Sequence, residues 1–164
     1  MKQLIKQLLF ACCLFGTLVV LGACASGPAV VDHAFGFDAR VDSPDAVILD
    51  YRYGDYFKNS PMFREQGLIP QSGNSNGPMP LGDTLYVKWR IKSTGQEFED
   101  TVNLKSRLPS NMERQRVYFV VQGAQLYVYL TDLTKPKPEA MPIVGPFRVQ
   151  SYVTRQIYPD TTSK

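Results

Sequence analysis

Few residues of this chain could do acid–base, redox or metal chemistry. Among 164 residues there are three cysteines, Cys12, Cys13 and Cys24, and one histidine, His33. A zinc site of usual composition or a Cys–His pair needs more of these side chains, and a Ser-His-Asp triad would have to recruit His33. Hydrolysis by two of the 15 acidic residues stays open, although no pair stands out. We therefore expect no enzyme, no catalytic residues and no metal.

Cys24 stands behind an apolar run and is the last cysteine of the chain. Residues 1–7 carry two lysines and no acid, and residues 8–20 are thirteen apolar or small residues. A basic start, an apolar core of this length and small residues after it predict a signal peptide over residues 1–23. The core is shorter than the roughly 20 residues that a membrane-spanning helix needs.

Three chemistries compete for Cys24. A redox thiol needs a stabilised thiolate or a partner cysteine, and none remains after cleavage. An intermolecular disulfide is possible in an oxidising compartment. Lipidation is the third, because Leu21-Gly22-Ala23-Cys24 resembles the lipobox of bacterial lipoproteins. Only lipidation accounts for the leader, the cysteine and the lack of later cysteines together.

The lipobox resemblance also implies where the protein is held. It implies a diacylglyceryl group on the Cys24 sulfur, cleavage before Cys24 and acylation of the new amine, with no cofactor besides this covalent lipid. Several acyl chains make anchoring effectively permanent. Ala25 follows the cysteine rather than Asp, which by resemblance implies the outer membrane, with the domain facing the periplasm.

The charge of the mature chain gives no indication of a nucleic-acid partner. Once Lys2 and Lys6 leave with the signal peptide, 16 basic residues stand against 15 acidic ones, a net charge near +1. No basic stripe appears. The domains we predict are the signal peptide, a lipidated tether at 24–44, a β-rich periplasmic domain at 45–160 and a tail at 161–164.

Alternating apolar residues predict a first hairpin. Residues 84–91, "TLYVKWRI", and 97–104, "EFEDTVNL", alternate around a turn that contains Gly95. A four-residue loop would place Ile91 opposite Phe98 and Val87 opposite Val102. That register puts Arg90 opposite Glu99. It also turns Asp100 inward beside Trp89, where it needs a partner or a position reached by water.

A second hairpin is specified more tightly. Residues 116–121, "RVYFVV", and 125–130, "QLYVYL", flank Gly123-Ala124, and glycine at the first position of a two-residue loop is typical of a type II′ turn. This register places Val121 opposite Leu126 and Phe119 opposite Val128. On the other face, Tyr118 meets Tyr129 and Val120 meets Tyr127.

Further segments complete the prediction. Residues 46–53 and 147–158 are expected to be strands, the four prolines of 134–146 predict an extended connection, and 54–83 lacks periodicity. A connection as long as 54–83 is either functional or a mobile insertion. Twelve prolines and twelve glycines argue against a helical bundle. The sum predicts an all-β fold, an antiparallel β-sandwich or small barrel.

Tyrosines are the one positive sign of a binding surface. Tyr118, Tyr127 and Tyr129 share the non-core face of the second hairpin, and Tyr86 is a candidate to extend them. Exposed aromatic clusters are typical of protein interfaces. The alternative is that another sheet or a long loop covers this face and makes it a second core.

The body of the chain also bears a looser resemblance to a family. "GDTLYVKWRIKSTGQEFEDTVNL", "RLP" and "YFVVQGAQLYVYL" resemble immunity lipoproteins that protect against phospholipase effectors of type VI secretion. The resemblance implies a periplasmic domain that occludes a toxin without catalysis. The alternative function is a structural envelope lipoprotein that scaffolds a secretion or cell-wall assembly. The neighbouring gene, a toxin or an assembly component, would discriminate between the two.

Overall fold

The computed structural model describes residues 29–160 as two packed β-sheets with little helix. Strands β1 Val30–Asp38, β4 Ser72–Pro80, β7 Gln115–Gln122, β8 Gln125–Pro136 and β9 Tyr152–Tyr158 form a five-stranded sheet in the order β4-β1-β7-β8-β9. Strands β2 Ala46–Tyr53, β3 Phe57–Lys58, β5 Thr84–Ile91 and β6 Glu97–Asn103 form the other, in the order β3-β2-β5-β6. Two short helices, α1 Ala39–Asp42 and α2 Pro61–Glu65, and a 3₁₀ turn, Phe147–Val149, complete the elements.

This arrangement confirms the predicted all-β fold as a sandwich, since the sheets do not close into a barrel. Its pairing is antiparallel except between β1 and β7, which run parallel with Phe35 opposite Val117. The signal peptide, the lipobox with Cys24 and the tail 161–164 lie outside the described residues. Within residues 29–160, no helix is long and apolar enough to cross a membrane.

The core lies between the sheets and is rich in aromatic rings. Phe35 stacks on Tyr53 with ring centroids 4.5 Å apart, and Phe37 stacks on Phe119 at the same distance. Aromatic pairs of this geometry stabilise a fold by about 0.5–1.5 kcal/mol beyond the area that they bury. Trp89, predicted to face inward, is 1% exposed and donates its indole N–H to the Gly123 carbonyl at 2.8 Å.

The predicted tether and the predicted loop contain two adjacent strands, which corrects both expectations. Residues 30–38, placed in the tether, form β1, and six of its nine residues are buried in an unbroken run. Residues 72–80, placed in the aperiodic loop 54–83, pair with β1 along its whole length. β1 lies between β4 and β7 and is covered on both faces, so its sequence does not alternate.

The two hairpins differ in how their registers compare with prediction. Every pair predicted for β7 and β8 is present, and Gly123 has φ +55° as a type II′ turn requires. The predicted register of β5 and β6 is wrong by two residues, since Trp89 faces Phe98 and Arg90 faces Glu97. The loop keeps its predicted four residues but begins one position earlier, and Ile91 and Gln96 close it through a backbone hydrogen bond of 2.9 Å.

The strand directions define two ends of the sandwich. The near pole is the end where β1 begins and the β2–β3 turn, Gly54–Tyr56, lies. The far pole is the end where α1 follows β1 and the Gly123-Ala124 turn joins β7 to β8. Because the nine residues of β1 run from one end to the other, about 30 Å separates the two poles.

Candidate functional site

Three of the predicted tyrosines lie together on the outer face of the five-stranded sheet. Tyr118 faces Tyr129, and Val120 faces Tyr127. Tyr118 is 2% exposed, whereas Tyr127 and Tyr129 are half-buried. Burial raises the pKa of the Tyr129 phenol, and the neighbouring Tyr127 and Asp42 add to the rise. The hairpin register explains why these tyrosines lie together. It does not explain their burial, which requires another segment to pack on this face.

Residues 145–149, here called the cover segment, close this outer face. Val149 is fully buried and packs with Tyr118 and Val120 in a second apolar cluster. Gly145 has φ +80°, and a Cβ there would lie 3.0 Å from the Tyr129 ring. The tight approach and the positive φ together favour glycine at this position. Both faces of the five-stranded sheet are therefore packed at the hairpin, as the second-core interpretation expects.

Asp42, which the sequence did not single out, holds the cover segment to the sheet. One carboxylate oxygen accepts a hydrogen bond of 2.8 Å from the Tyr118 hydroxyl, and the other accepts one of 3.2 Å from the Phe147 backbone N–H. α1 carries Asp42 to this place because it follows directly on β1. Residues 147–149 were predicted as part of the last strand. They form a 3₁₀ turn instead, and β9 begins at Tyr152.

The cover segment presents apolar side chains to solvent at the far pole. Phe147 is 67% exposed and Val41 of α1 is 55% exposed, and both line a cleft of about 300 Å³ with Gln122 and Tyr129. We call Val41 and Phe147 the far-pole patch. Ile143, in the connection leading to it, is 63% exposed. Phe147 was predicted to begin the last strand, and its exposed position in the 3₁₀ turn is a new observation.

Tyr86 does not belong with the other tyrosines, which corrects the expectation that it extends them. It projects from β5 on the outer face of the opposite sheet. Its hydroxyl donates to Glu99 at 2.9 Å, and the Arg52 guanidinium lies 4.4 Å from its ring centroid. Partial burial and the bond to Glu99 raise the pKa of Tyr86 to about 12. This face is open and polar, with Lys88 and Arg90 both paired to Glu97.

Asp100 and His33, the polar residues that the sequence left without partners, have structural partners. Asp100 faces Val87 rather than Trp89 and accepts a hydrogen bond of 2.8 Å from the Tyr158 hydroxyl. His33 is 2% exposed; its Nδ1 lies 2.9 Å from the Val31 carbonyl and its Nε2 lies 2.9 Å from the Tyr53 hydroxyl. Because a carbonyl only accepts, Nδ1 donates to Val31, and in the neutral imidazole Nε2 accepts from the Tyr53 hydroxyl.

Within residues 29–160, no three His, Cys, Asp or Glu side chains are grouped so that they could hold a metal ion. Comparison with family models, curated proteins and solved structures finds no match to this chain.

Proposed function

We propose that this chain is a bacterial envelope lipoprotein whose β-sandwich binds a protein partner in the periplasm. The anchor is the acylated Cys24, and Ala25 after it favours the outer membrane. We propose binding rather than catalysis, with no cofactor beyond the covalent lipid and no nucleic-acid partner. The lipobox residues Leu21-Gly22-Ala23-Cys24 support the anchor.

The exposed far-pole patch is the observation that carries the binding role. Phe147 leaves 67% of its surface in water although its backbone is held by Asp42. A large apolar side chain on a fixed support loses little conformational entropy when a partner covers it, so it is suited to anchor an interface. The half-buried Tyr129 lines the same cleft as Val41 and Phe147.

Neutralisation of a phospholipase-type effector of type VI secretion is the sharpest form of the proposal. Its support is the resemblance of the two hairpins and "RLP" to immunity lipoproteins. The domain would then cover the toxin's site and block it by occlusion. A scaffolding role in a secretion or cell-wall assembly is the alternative. A second apolar surface around α2, with Met62 54% and Leu68 60% exposed, favours that alternative.

A single substitution tests the anchor. Cys24→Ser should release the protein from the membrane fraction or leave the leader uncleaved. Ala25→Ser is the matched control, because it changes the neighbouring residue without touching the sulfur. A Cys24→Ser protein that is processed and membrane-bound like the unmodified chain contradicts the proposed anchor.

A binding titration tests the partner role. The membrane-anchored protein is used to recover partners and is then titrated against the product of an adjacent toxin gene. Phe147→Ser should weaken binding by about tenfold or more, equivalent to about 1.4 kcal/mol, without changing the melting temperature. Leu68→Ser, at a similarly exposed position on the α2 surface, is the control that should bind normally. Recovery of no stoichiometric protein partner would count against both the effector and the scaffold roles.

A further inference from the structure

The position where the sandwich begins limits how far it can move from its anchor. Ala29 already belongs to the fold, since its carbonyl accepts the Leu81 backbone N–H at 3.0 Å. Ala29 stands five positions after Cys24 in the sequence. Even a fully extended chain of that length spans only about 18 Å. Ala29, at the near pole, therefore stays within about 18 Å of the proposed lipidated residue.

The near pole carries exposed side chains that suit a lipid headgroup layer. Val30 is 64% exposed and Tyr56 is 62% exposed, and neither is needed by the core. Tyr56 and Lys105 line one groove of about 600 Å³ with Ala29 and Leu81. Tyrosine concentrates at membrane–water interfaces because its ring is apolar and its hydroxyl is polar.

The charges that line this groove give no preference for an anionic lipid. Asp55 and Asp83 line the same groove as Lys105. Two carboxylates against one ammonium group give no net attraction to a negative surface. Contact through Tyr56 and Val30 at this groove therefore does not require an anionic headgroup layer.

We propose that the near pole, through Tyr56 and Val30, rests on the phospholipid headgroups of the bilayer that holds Cys24. The inference depends on the proposed lipidation, because two exposed side chains bury too little area to hold a domain on a membrane by themselves. The acyl chains supply the attachment, and the contact sets the orientation. The far-pole patch, about 30 Å away along β1, then points into the periplasm.

Fluorescence quenching of matched tryptophan variants tests this orientation. The lipidated full-length protein is reconstituted in phosphatidylcholine–phosphatidylethanolamine vesicles that carry a nitroxide on the headgroup. Tyr56→Trp and Phe147→Trp place the probe at similarly exposed aromatic positions of opposite poles. The natural chain has one tryptophan, Trp89, which is 1% exposed and gives the background. Tyr56→Trp should be quenched at least about twofold more than Phe147→Trp, because the second probe lies about 30 Å farther from the headgroups.

The outcomes of this experiment distinguish the orientation of the domain from its lipid anchor. Val30→Trp is a second near-pole variant and should be quenched like Tyr56→Trp, which guards against a folding defect at position 56. If the protein sits on the vesicles but both poles are quenched equally, or neither is, the orientation is wrong while the anchor stands. If the protein does not remain on the vesicles at all, the proposed lipoprotein function fails with it.

Discussion

The outer faces of the two sheets differ in how they meet solvent. On the five-stranded sheet, Tyr118 is 2% exposed beneath the cover segment, and its hydroxyl donates a hydrogen bond to Asp42. On the four-stranded sheet, Tyr86 lies half-buried among the charged side chains of Arg52 and Glu99. Both tyrosines point outward from their strands, but Tyr118 belongs to a second core and Tyr86 lies on an open polar face. The difference comes from a distant segment that covers one face and not the other.

Among substitutions that test this difference between the two faces, the largest loss of stability is expected at Tyr118. Tyr118→Ala removes a buried ring from the second core and leaves Asp42 without its hydroxyl donor, so it should lower the free energy of unfolding by about 3–5 kcal/mol. Urea denaturation of the purified domain measures this. A loss below about 1 kcal/mol would mean that the cover segment does not bury this ring.

An intermediate loss of stability is expected at alkaline pH, when Tyr53 in the core between the sheets loses its proton. Burial raises the pKa of Tyr53 from near 10 to about 12, with Asp83 adding and a Gly82 hydrogen bond opposing. Because the folded state holds this proton more tightly than the unfolded chain does, the stabilisation is complete below pH 10 and is lost as the pH rises to 12. The loss is at most about 3 kcal/mol.

The matched variants for this pH dependence are Tyr53→Phe and Tyr86→Phe. Tyr53→Phe should flatten the fall in stability between pH 10 and 12, although it also costs His33 its hydroxyl donor at neutral pH. Tyr86→Phe should flatten the fall less, since solvent screens the charges on the open face. Equal slopes in the unmodified protein and Tyr53→Phe would contradict the assignment.

The smallest effect is expected at Tyr86. Tyr86→Ala removes one exposed hydrogen bond to Glu99 and a contact with Arg52, so its cost should stay below about 1 kcal/mol. The cost should shrink further in high salt, because the partners are charged. A cost equal to that of Tyr118→Ala would remove the distinction between the two faces.

The sequence predicted those parts of the fold that depend on local pattern. The β7–β8 register is correct because a two-residue loop leaves only one way to pair the strands. The β5–β6 register is off by two because a longer loop around Gly95 permits several closures, and a shift of two keeps every side chain on its face. The inward face of β5 was therefore correct even where its partners were not.

The remaining parts depend on contacts between distant segments. β4 has the sequence "SGNSNGPMP", which favours turns, and it is a strand because the long edge of β1 pairs with all nine of its residues. Asp42 gave no signal in the sequence, since its partners lie 76 and 105 positions away. The tyrosine cluster was predictable from the hairpin, but the cover segment and the far-pole patch were not.

Hydrogen–deuterium exchange of residues 145–150 tests most directly whether the cover segment is held on the sheet. In the unmodified protein, the Phe147 amide bonded to Asp42 and the Val149 amide bonded to the Pro146 carbonyl at 3.1 Å should exchange slowly. Asp42→Ala should speed exchange in this segment by about tenfold or more, as expected when an opening loses about 1.4 kcal/mol of protection. Glu99→Gln, the control on the open face, should leave it unchanged. Fast exchange of residues 145–150 already in the unmodified protein would contradict a covered face.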